Sequence, residues 1–317
     1  MANGDHYVRD DVRGFLQMLE QLGQPGIETL PVEVGRQGMA AMGKMAEADP
    51  RDLAVIRDLT CPGPAGDIPL RLYDSQESRG PGPVILFIHG GGFVIGDLDI
   101  YHALCTEIAW QMDLPVVSVD YRLAPEAPFP AAPDDCEAAA RWVASNPAEL
   151  GLTCTGLIPM GDSAGGNLAI VTTNQLGVEP ASVPVLFQVP LYPVADDVSR
   201  HDSYHAFGEG YLLNRSTMAW FTQQYAGDPA DPRHTPMLAE SRNTPPTVLC
   251  TASLDPLRDS GRNYAAHLIQ QGTDVVYLEF SGTIHGFATL RKALPSAQDD
   301  IDALIAAMKL MADRHAR

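Results

Sequence analysis

The sequence predicts an α/β protein in which a mostly parallel central sheet is covered by helices. From residue 53 onward, short apolar runs alternate with segments of helical periodicity, which is the pattern of repeated βα units. The run at 84–88 is apolar at every position, as in a strand that is buried on both faces. The 28 glycines and 26 prolines supply the turns that this alternation needs.

Eight runs are predicted as strands because they are short, largely apolar and bounded by turn residues. They are 53–59, 70–73, 84–88, 116–119, 155–160, 185–189, 248–251 and 275–280, with a turn at 62–66 between the first two.

Eight segments are predicted as helices, mostly from apolar residues at spacings of three and four. They are 11–22, 32–48, 101–112, 134–143, 164–176, 216–225, 259–271 and 299–313. Pro133 and an acidic first turn mark the start of the fourth helix, and Asn214 is the candidate N-cap of the sixth.

Two parts of the chain stand outside the βα alternation. Residues 192–237 form a long insertion, and we expect it to lie as a lid over the carboxyl ends of the strands. In the helix at 32–48, Met39, Met42 and Met45 are three residues apart and are predicted to share one face. That face either packs on the body of the protein or forms a deformable wall of an apolar substrate pocket.

The formal net charge is −19, from 40 acidic and 21 basic residues. Such a negative field repels phosphate backbones and anionic lipid surfaces, so neither nucleic acid nor a membrane surface is an expected partner. It also mildly favours a neutral substrate over a strongly anionic one, but the simpler interpretation is that the charge keeps the protein soluble.

The five cysteines are scattered and show no CxxC or Cys/His spacing, so neither a disulfide framework nor a metal site is predicted. Their apolar surroundings suggest a reducing compartment. The N-terminal residues lack the basic and apolar regions of a signal peptide, and no apolar run is long enough to span a bilayer. We therefore expect a soluble cytoplasmic protein.

The stretch Gly161-Asp162-Ser163-Ala164-Gly165 fits the pattern G-x-S-x-G. This pattern forms a sharp turn between a strand and a helix, with the serine hydroxyl exposed at the top of the sheet. Glycine is needed at the first and last positions because a Cβ there would collide with the neighbouring backbone. Ser163 is therefore the candidate nucleophile.

A serine nucleophile needs a base, and the base needs an orienting acid. On this kind of sheet the acid and then the histidine follow the serine, each just after a strand. Asp255 and His285 occupy those places. Asp259 is the rival acid, but Pro256 holds Asp255 in a loop, whereas Asp259 falls where the next helix opens.

The glycines 90–92 follow a buried strand, so their amides can approach a ligand without obstruction by side chains. Together with the amide of Ala164, they are candidate donors for an oxyanion. No dinucleotide-binding or Walker pattern is present to favour a phosphate loop instead. We expect His89 to shape the loop through a hydrogen bond.

Five ordered motifs together resemble the bacterial hormone-sensitive-lipase family of α/β-hydrolases. The motifs are His89-Gly-Gly-Gly92, Asp120-Tyr-Arg-Leu-Ala-Pro-Glu126, Gly161-Asp-Ser-Ala-Gly-Gly166, Asp255-Pro-Leu and His285-Gly-Phe.

The resemblance implies an α/β-hydrolase fold for residues 51–317, with a mainly helical cap formed by the helices of 1–50 and the insertion at about 192–237. It further implies a carboxylesterase that acts on short-to-medium acyl esters and is frequently a dimer. The two-step serine mechanism expected of such an enzyme requires no metal or cofactor. The implied catalytic triad is Ser163, His285 and Asp255. The implied oxyanion hole is formed by Gly91, Gly92 and Ala164.

Within the second motif, Asp120, Arg122 and Glu126 are predicted to form a buried ion-pair brace beneath the site. An amidase, lactonase or acyltransferase could use the same triad. A non-catalytic small-molecule receptor on this scaffold is a further alternative. Substrate choice is expected to depend on the Met face and on the aromatic residues of the insertion, which are Phe207, Tyr211, Trp220 and Phe221.

Overall fold

An eight-stranded sheet organises the computed structural model, which describes residues 6–240 and 244–315. Its strands in chain order are β1 Val55–Gly63, β2 Gly66–Asp74, β3 Gly82–Ile88, β4 Val116–Val119, β5 Cys154–Asp162, β6 Val189–Leu191, β7 Thr247–Leu254 and β8 Val275–Ile284. In space the order is β1-β2-β4-β3-β5-β6-β7-β8. The pairs β1–β2 and β2–β4 are antiparallel and the other pairs are parallel, so the predicted fold class is confirmed.

Nine α-helices occur in the described residues. They are α1 Asp10–Leu22, α2 Val32–Ala46, α3 His102–Met112, α4 Ala131–Ala144, α5 Ala164–Val178, α6 Asp202–Phe207, α7 Arg215–Tyr225, α8 Arg258–Gln270 and α9 Ser296–His315. None of the helices in these ranges combines the length and the apolar character needed to cross a membrane.

Both faces of the sheet are covered, which explains the uninterrupted apolar run of β3. Ile85 and Phe87 lie in a core cluster that also contains residues of α1, α3 and α9. Val84, Leu86 and Ile88 point to the other face, where they share a cluster with residues of α4 and α5. Alternate side chains of β3 are therefore buried in two different cores, and no position is left for a polar residue.

The sixth strand was predicted at the wrong position, whereas the predicted N-cap of α7 is at the right one. The predicted strand at 185–189 lies at Val189–Leu191 instead, and Val185 makes only an isolated bridge with Leu157. Asn214 occupies the N-cap position of α7, but its side chain does not bond to the backbone of the first turn. The short helix α6 was not predicted, because six residues are too few to show a helical period.

The Met face of α2 is only partly buried. Met39 and Met42 pack against the cores, whereas the side chain of Met45 is 71% exposed. At 3.6 residues per turn, each step of three residues falls about 60° short of a full turn. Met45 is therefore rotated by about 120° from Met39 and lies off the buried face.

The turn between β5 and α5 brings three backbone segments into close approach. A Cβ added at Gly165 would lie 2.0 Å from the carbonyl oxygen of Ile88, and one added at Gly161 would lie 2.4 Å from the same oxygen. These contacts are with backbone atoms of β3, so they cannot be relieved by moving a side chain. The absence of side chains at both positions allows α5 to start directly above the sheet.

We expect Gly165→Ala to lower the free energy of unfolding by at least about 2 kcal/mol, because overpacking against fixed backbone forces the strand or the helix to move. Gly177→Ala, near the other end of the same helix, is the matched control. A Cβ at Gly177 meets nothing within 4 Å, so this change should be neutral or stabilising by up to about 1 kcal/mol. Urea unfolding of both variants checks this, and equal stabilities would contradict the steric account.

Candidate active site

Ser163 lies at the turn between β5 and α5, in a backbone conformation that residues other than glycine seldom adopt. Its φ is 54° and its ψ is −118°, and its amide donates a hydrogen bond of 2.9 Å to the carbonyl of Leu191. Such strain persists only where the surroundings over-determine it. Here it presents a half-buried hydroxyl at the carboxyl edge of the sheet.

His285 and Asp255 lie in a line with that hydroxyl. Nε2 of His285 is 2.8 Å from Oγ of Ser163, and Nδ1 is 2.7 Å from Oδ2 of Asp255. The second carboxylate oxygen of Asp255 accepts a hydrogen bond of 2.7 Å from the amide of Leu257. An ionised carboxylate only accepts, so Nδ1 carries the proton and Nε2 is left to accept from the serine hydroxyl.

In the loop after β3, the amides of Gly91 and Gly92 are among those that have no acceptor within the described residues. In a trans peptide the N–H points opposite to the C=O of the preceding residue. The carbonyl of Gly90 is held 2.8 Å from Nδ1 of His89, which sets the direction of the Gly91 amide. The carbonyl of Gly91 accepts from the amides of Val94 and Ile95 at 3.1 and 3.0 Å, which sets the direction of the Gly92 amide.

His89 is neutral when it makes this hydrogen bond. Complete burial lowers the pKa of His89 to about 4, so at neutral pH only one ring nitrogen carries a proton. Since the carbonyl of Gly90 accepts, that nitrogen is Nδ1. The expected loop-shaping hydrogen bond of His89 is therefore present.

Asp162 lies directly behind the glycine loop and is almost fully buried. One carboxylate oxygen accepts from the amide of Gly90 at 2.7 Å, and the other accepts from the hydroxyls of Tyr101 and Tyr192 at 3.1 and 3.4 Å. Burial raises the pKa of Asp162 to about 6, against the opposing effects of nearby His285 and of these donors. Asp162 thus ties the glycine loop to the serine turn.

The structure brings together Ser163, His285 and Asp255, with the amides of Gly91 and Gly92 on the adjoining loop. Ala164 is the first residue of α5, so its amide has no acceptor in the preceding turn. The rival acid, Asp259, lies in the first turn of α8 and accepts from the amide of Ser203 instead.

The brace predicted from the second motif is wrong. Arg122 pairs with the buried Asp135 of α4 at 2.7 Å, and the exposed Glu126 pairs with Arg36 of α2 at 2.7 Å. Within the described residues Asp120 forms no ion pair, and burial, reinforced by nearby acidic residues, raises the pKa of its carboxyl to about 6. The three residues are close in sequence, but Arg122 and Glu126 are paired by different helices, and Asp120 has no ion-pair partner among the described residues.

Sequence reasoning missed the structural parts of Tyr101, Tyr192 and the side chain of Asp162, because their contacts depend on the tertiary fold. The motif contains an acid next to the serine, but its burial and its partners were not predictable from the motif. No group of three or more metal-ligating side chains occurs in the described parts of the chain.

Comparison with known proteins agrees with this geometry. A family model described as alpha/beta hydrolase fold matches residues 85–289. The ethyl acetate hydrolase of Pseudomonas putida is 36% identical over 95% of this chain and 98% of its own length. The carboxylic ester hydrolase LipN of Mycobacterium tuberculosis is 39% identical over 80% of this chain and 70% of its own length.

Solved structures give the same result. An ester hydrolase from the metagenome of Lake Arreo, complexed with a bipyridine phosphonate derivative, superposes with a TM-score of 0.90 at 37% identity, covering 96% of this chain and 98% of that one. An esterase from Pyrobaculum calidifontis superposes with a TM-score of 0.86 at 34% identity, covering 96% and 99%.

Fold and relatives define the class of the protein as a carboxylic ester hydrolase of the α/β-hydrolase fold. Within that class, the chain belongs to the hormone-sensitive-lipase-like family of carboxylesterases.

The raised pKa of Asp162 predicts a pH dependence of stability. The pKa is 3.8 for the free side chain and about 6 in the folded protein, so between these values the native state binds a proton that the unfolded state lacks. The free energy of unfolding therefore decreases as the pH rises from 4 to 6, by about 3 kcal/mol for about two units. In Asp162→Asn this contribution is absent.

Urea unfolding of wild type and Asp162→Asn at several pH values between 4 and 7.5 isolates the effect as a difference. The free energy of unfolding of the variant minus that of wild type should increase as the pH rises to 6, and the difference should then stay constant. Parallel curves would contradict the shifted pKa of Asp162.

Proposed function

We propose that the chain hydrolyses neutral esters of short-to-medium acyl chains through a Ser163-His285-Asp255 triad. The observation that carries the proposal is the unbroken hydrogen-bonded line from the hydroxyl through the imidazole to the carboxylate, with distances of 2.8 and 2.7 Å. Catalysis of this kind needs the nucleophile within hydrogen-bond reach of an oriented base.

In the first step, Oγ of Ser163 attacks the ester carbonyl carbon while Nε2 of His285 takes the hydroxyl proton. The tetrahedral intermediate collapses as the imidazolium gives that proton to the leaving alcohol, which produces an acyl-serine. Water then attacks the acyl carbon with the same base, and the acid leaves. Asp255 holds Nδ1 and stabilises the imidazolium that forms in each half-reaction.

The negative charge that develops on the carbonyl oxygen is assigned to the amides of Gly91, Gly92 and Ala164. Each of the two glycine amides is fixed in direction by a hydrogen bond to the carbonyl of its own peptide. Donors that are aimed in advance cost no reorganisation during the reaction, and each is worth about 10²–10³ in rate.

Substrate length is assigned to a cap made of the N-terminal helices, residues 6–50, and the insertion, residues 192–237. Phe221 of α7 supports this, because a Cβ at Gly92 would lie 2.2 Å from its ring. An aromatic side chain therefore bounds the space beside the glycine loop, which favours small acyl groups. The relative named ethyl acetate hydrolase and the net charge of −19 favour a small neutral ester.

A cytoplasmic location is proposed from the thiols. All five cysteines of the chain fall in the described residues, and each is buried and free of a disulfide. Unpaired thiols are typical of reducing compartments. The homodimer and the lack of nucleic-acid and membrane partners remain predictions.

Removing the nucleophile is the direct test of the triad. Ser163→Ala should lower the rate of aryl ester hydrolysis by about 10³-fold or more, because only general binding and the oxyanion donors remain. Asp255→Asn should lower kcat by about 10³–10⁴-fold while the fold is preserved, because the wrong tautomer of His285 is stabilised. Full activity in Ser163→Ala, measured with p-nitrophenyl butyrate, would refute the assignment.

Acyl-chain length tests the assignment of Phe221. Wild type should be fastest with acyl groups of about two to six carbons, and Phe221→Ala should raise kcat/KM for longer esters relative to the acetate, because the ring no longer limits the space beside Gly92. Trp110→Ala, which removes a half-exposed aromatic ring from α3, is the control and should keep the wild-type profile. An unchanged profile in Phe221→Ala would remove this residue from the pocket.

A further inference from the structure

We propose that Arg36, on helix α2, is a positioning residue that fixes the direction of the Gly92 amide. The inference rests on the oxyanion role proposed above for that amide. Arg36 does not touch the reacting atoms, and it acts through the peptide groups of the loop after β3.

The guanidinium of Arg36 binds two backbone carbonyls of the catalytic domain. Nε donates to the carbonyl of Val94 at 2.9 Å, and Nη2 donates to that of Ala124 at 3.0 Å. Nη1 and Nη2 form a bidentate salt bridge with the carboxylate of Glu126, with distances of 2.9 and 2.7 Å. The guanidinium is thus held by backbone carbonyls and by a carboxylate, and the side chain of Arg36 is only 24% exposed.

From Val94 the hydrogen bonds lead to the Gly92 amide through two peptide planes. The carbonyl of Val94 and the amide of Ile95 belong to one peptide, so holding the oxygen sets the direction of that N–H. The amide of Ile95 donates to the carbonyl of Gly91 at 3.0 Å. The carbonyl of Gly91 shares its peptide with the amide of Gly92, which is therefore turned the opposite way.

A second line of hydrogen bonds reaches the same carbonyl. The amide of Val94 donates to the carbonyl of Gly91 at 3.1 Å. The carbonyl of Phe93, which shares a peptide with that amide, accepts from the amide of Ala124 at 2.9 Å. Ala124 is the other residue whose carbonyl Arg36 holds. The carbonyl and the amide of Ala124 belong to different peptides, so Arg36 anchors this residue but sets the direction of the Gly91 carbonyl only through Val94.

The positive charge of Arg36 adds to the geometric effect. A cation at the carbonyl of Val94 polarises its peptide and makes the amide of Ile95 a stronger donor. Hydrogen bonds in such a chain strengthen one another by about a tenth to a third each. As a result, the amide of Gly92 has a fixed direction, and it is also a stronger hydrogen-bond donor than a free peptide N–H.

The segment that carries Arg36 also holds the helix above the loop. Glu28 accepts hydrogen bonds of 2.8 and 3.0 Å from the hydroxyls of Ser216 and Thr217, at the start of α7. A few residues further along α7, Phe221 lies against Gly92. The N-terminal segment that contains Glu28 and Arg36 thus contacts both the glycine loop and the helix that carries Phe221.

Arg36→Met tests the proposal, since it keeps the length of the side chain and removes every donor. We expect kcat to fall about 10–100-fold with KM within about threefold of wild type, because a misdirected amide costs part of the 10²–10³ that a donor supplies. Affinity for an alkyl trifluoromethyl ketone, whose adduct places an oxyanion at the site, should fall by a similar factor. Affinity for the product alcohol should stay unchanged.

Arg57→Met is the matched control. Arg57 also clamps two backbone carbonyls, those of Glu149 and Leu150 at 3.1 and 3.0 Å, but at the edge of the sheet formed by β1. This variant should keep wild-type kcat and ketone affinity whatever its melting temperature. Arg36→Lys, which keeps the charge but loses the fork, should recover part of the lost kcat and serves as the test if Arg36→Met does not fold.

Wild-type kcat and ketone affinity in folded Arg36→Met, or in Arg36→Lys if that is the only folded variant, would overturn the proposal. A loss that appears equally in Arg57→Met, or that changes KM alone, would also overturn it. These outcomes are separable from the proposed function, because Ser163→Ala tests the triad on its own. If Ser163→Ala is inactive while Arg36→Met is unaffected, only the role of Arg36 fails.

Discussion

The active-site geometry depends on the contact between the backbone of β3 and the turn that follows β5. The carbonyl of Ile88 lies so close to Gly161 and Gly165 that neither position has room for a side chain. This approach places the serine turn beside the loop that leaves β3. The hydroxyl of Ser163 and the amides of Gly91 and Gly92 are neighbours because these backbones touch.

Around this contact, hydrogen bonds rather than side-chain packing fix the conformation of the glycine loop. The glycine loop has no side chains at three successive positions, so its shape must come from its carbonyls and amides. His89, Asp162 and the amides of the following turn hold those groups. A buried carboxylate with a raised pKa is an energetic cost at Asp162, and the hydrogen bonds it accepts from Gly90 and two tyrosines offset part of that cost.

Much of the fold was predictable because local pattern and topology agree. The order of the serine, the acid and the histidine along the chain, each after a parallel strand, is sufficient to place Ser163, Asp255 and His285 at one edge of the sheet. Contacts between distant side chains were not predictable. The pairing of Arg122 with Asp135 and of Glu126 with Arg36 depends on how α4 and α2 dock, and nothing in the motif itself specifies that docking.

We propose that Ser163 alone carries the nucleophilic hydroxyl, and covalent labelling tests this most directly. An aryl alkylphosphonate mimics the tetrahedral intermediate and is attacked by an activated serine, with release of the phenol. Peptide mapping by mass spectrometry should find one phosphonyl group per chain, on Ser163, with the remaining ester hydrolysis falling in proportion to labelling. A label on another residue, or activity that survives complete labelling of Ser163, would contradict the account.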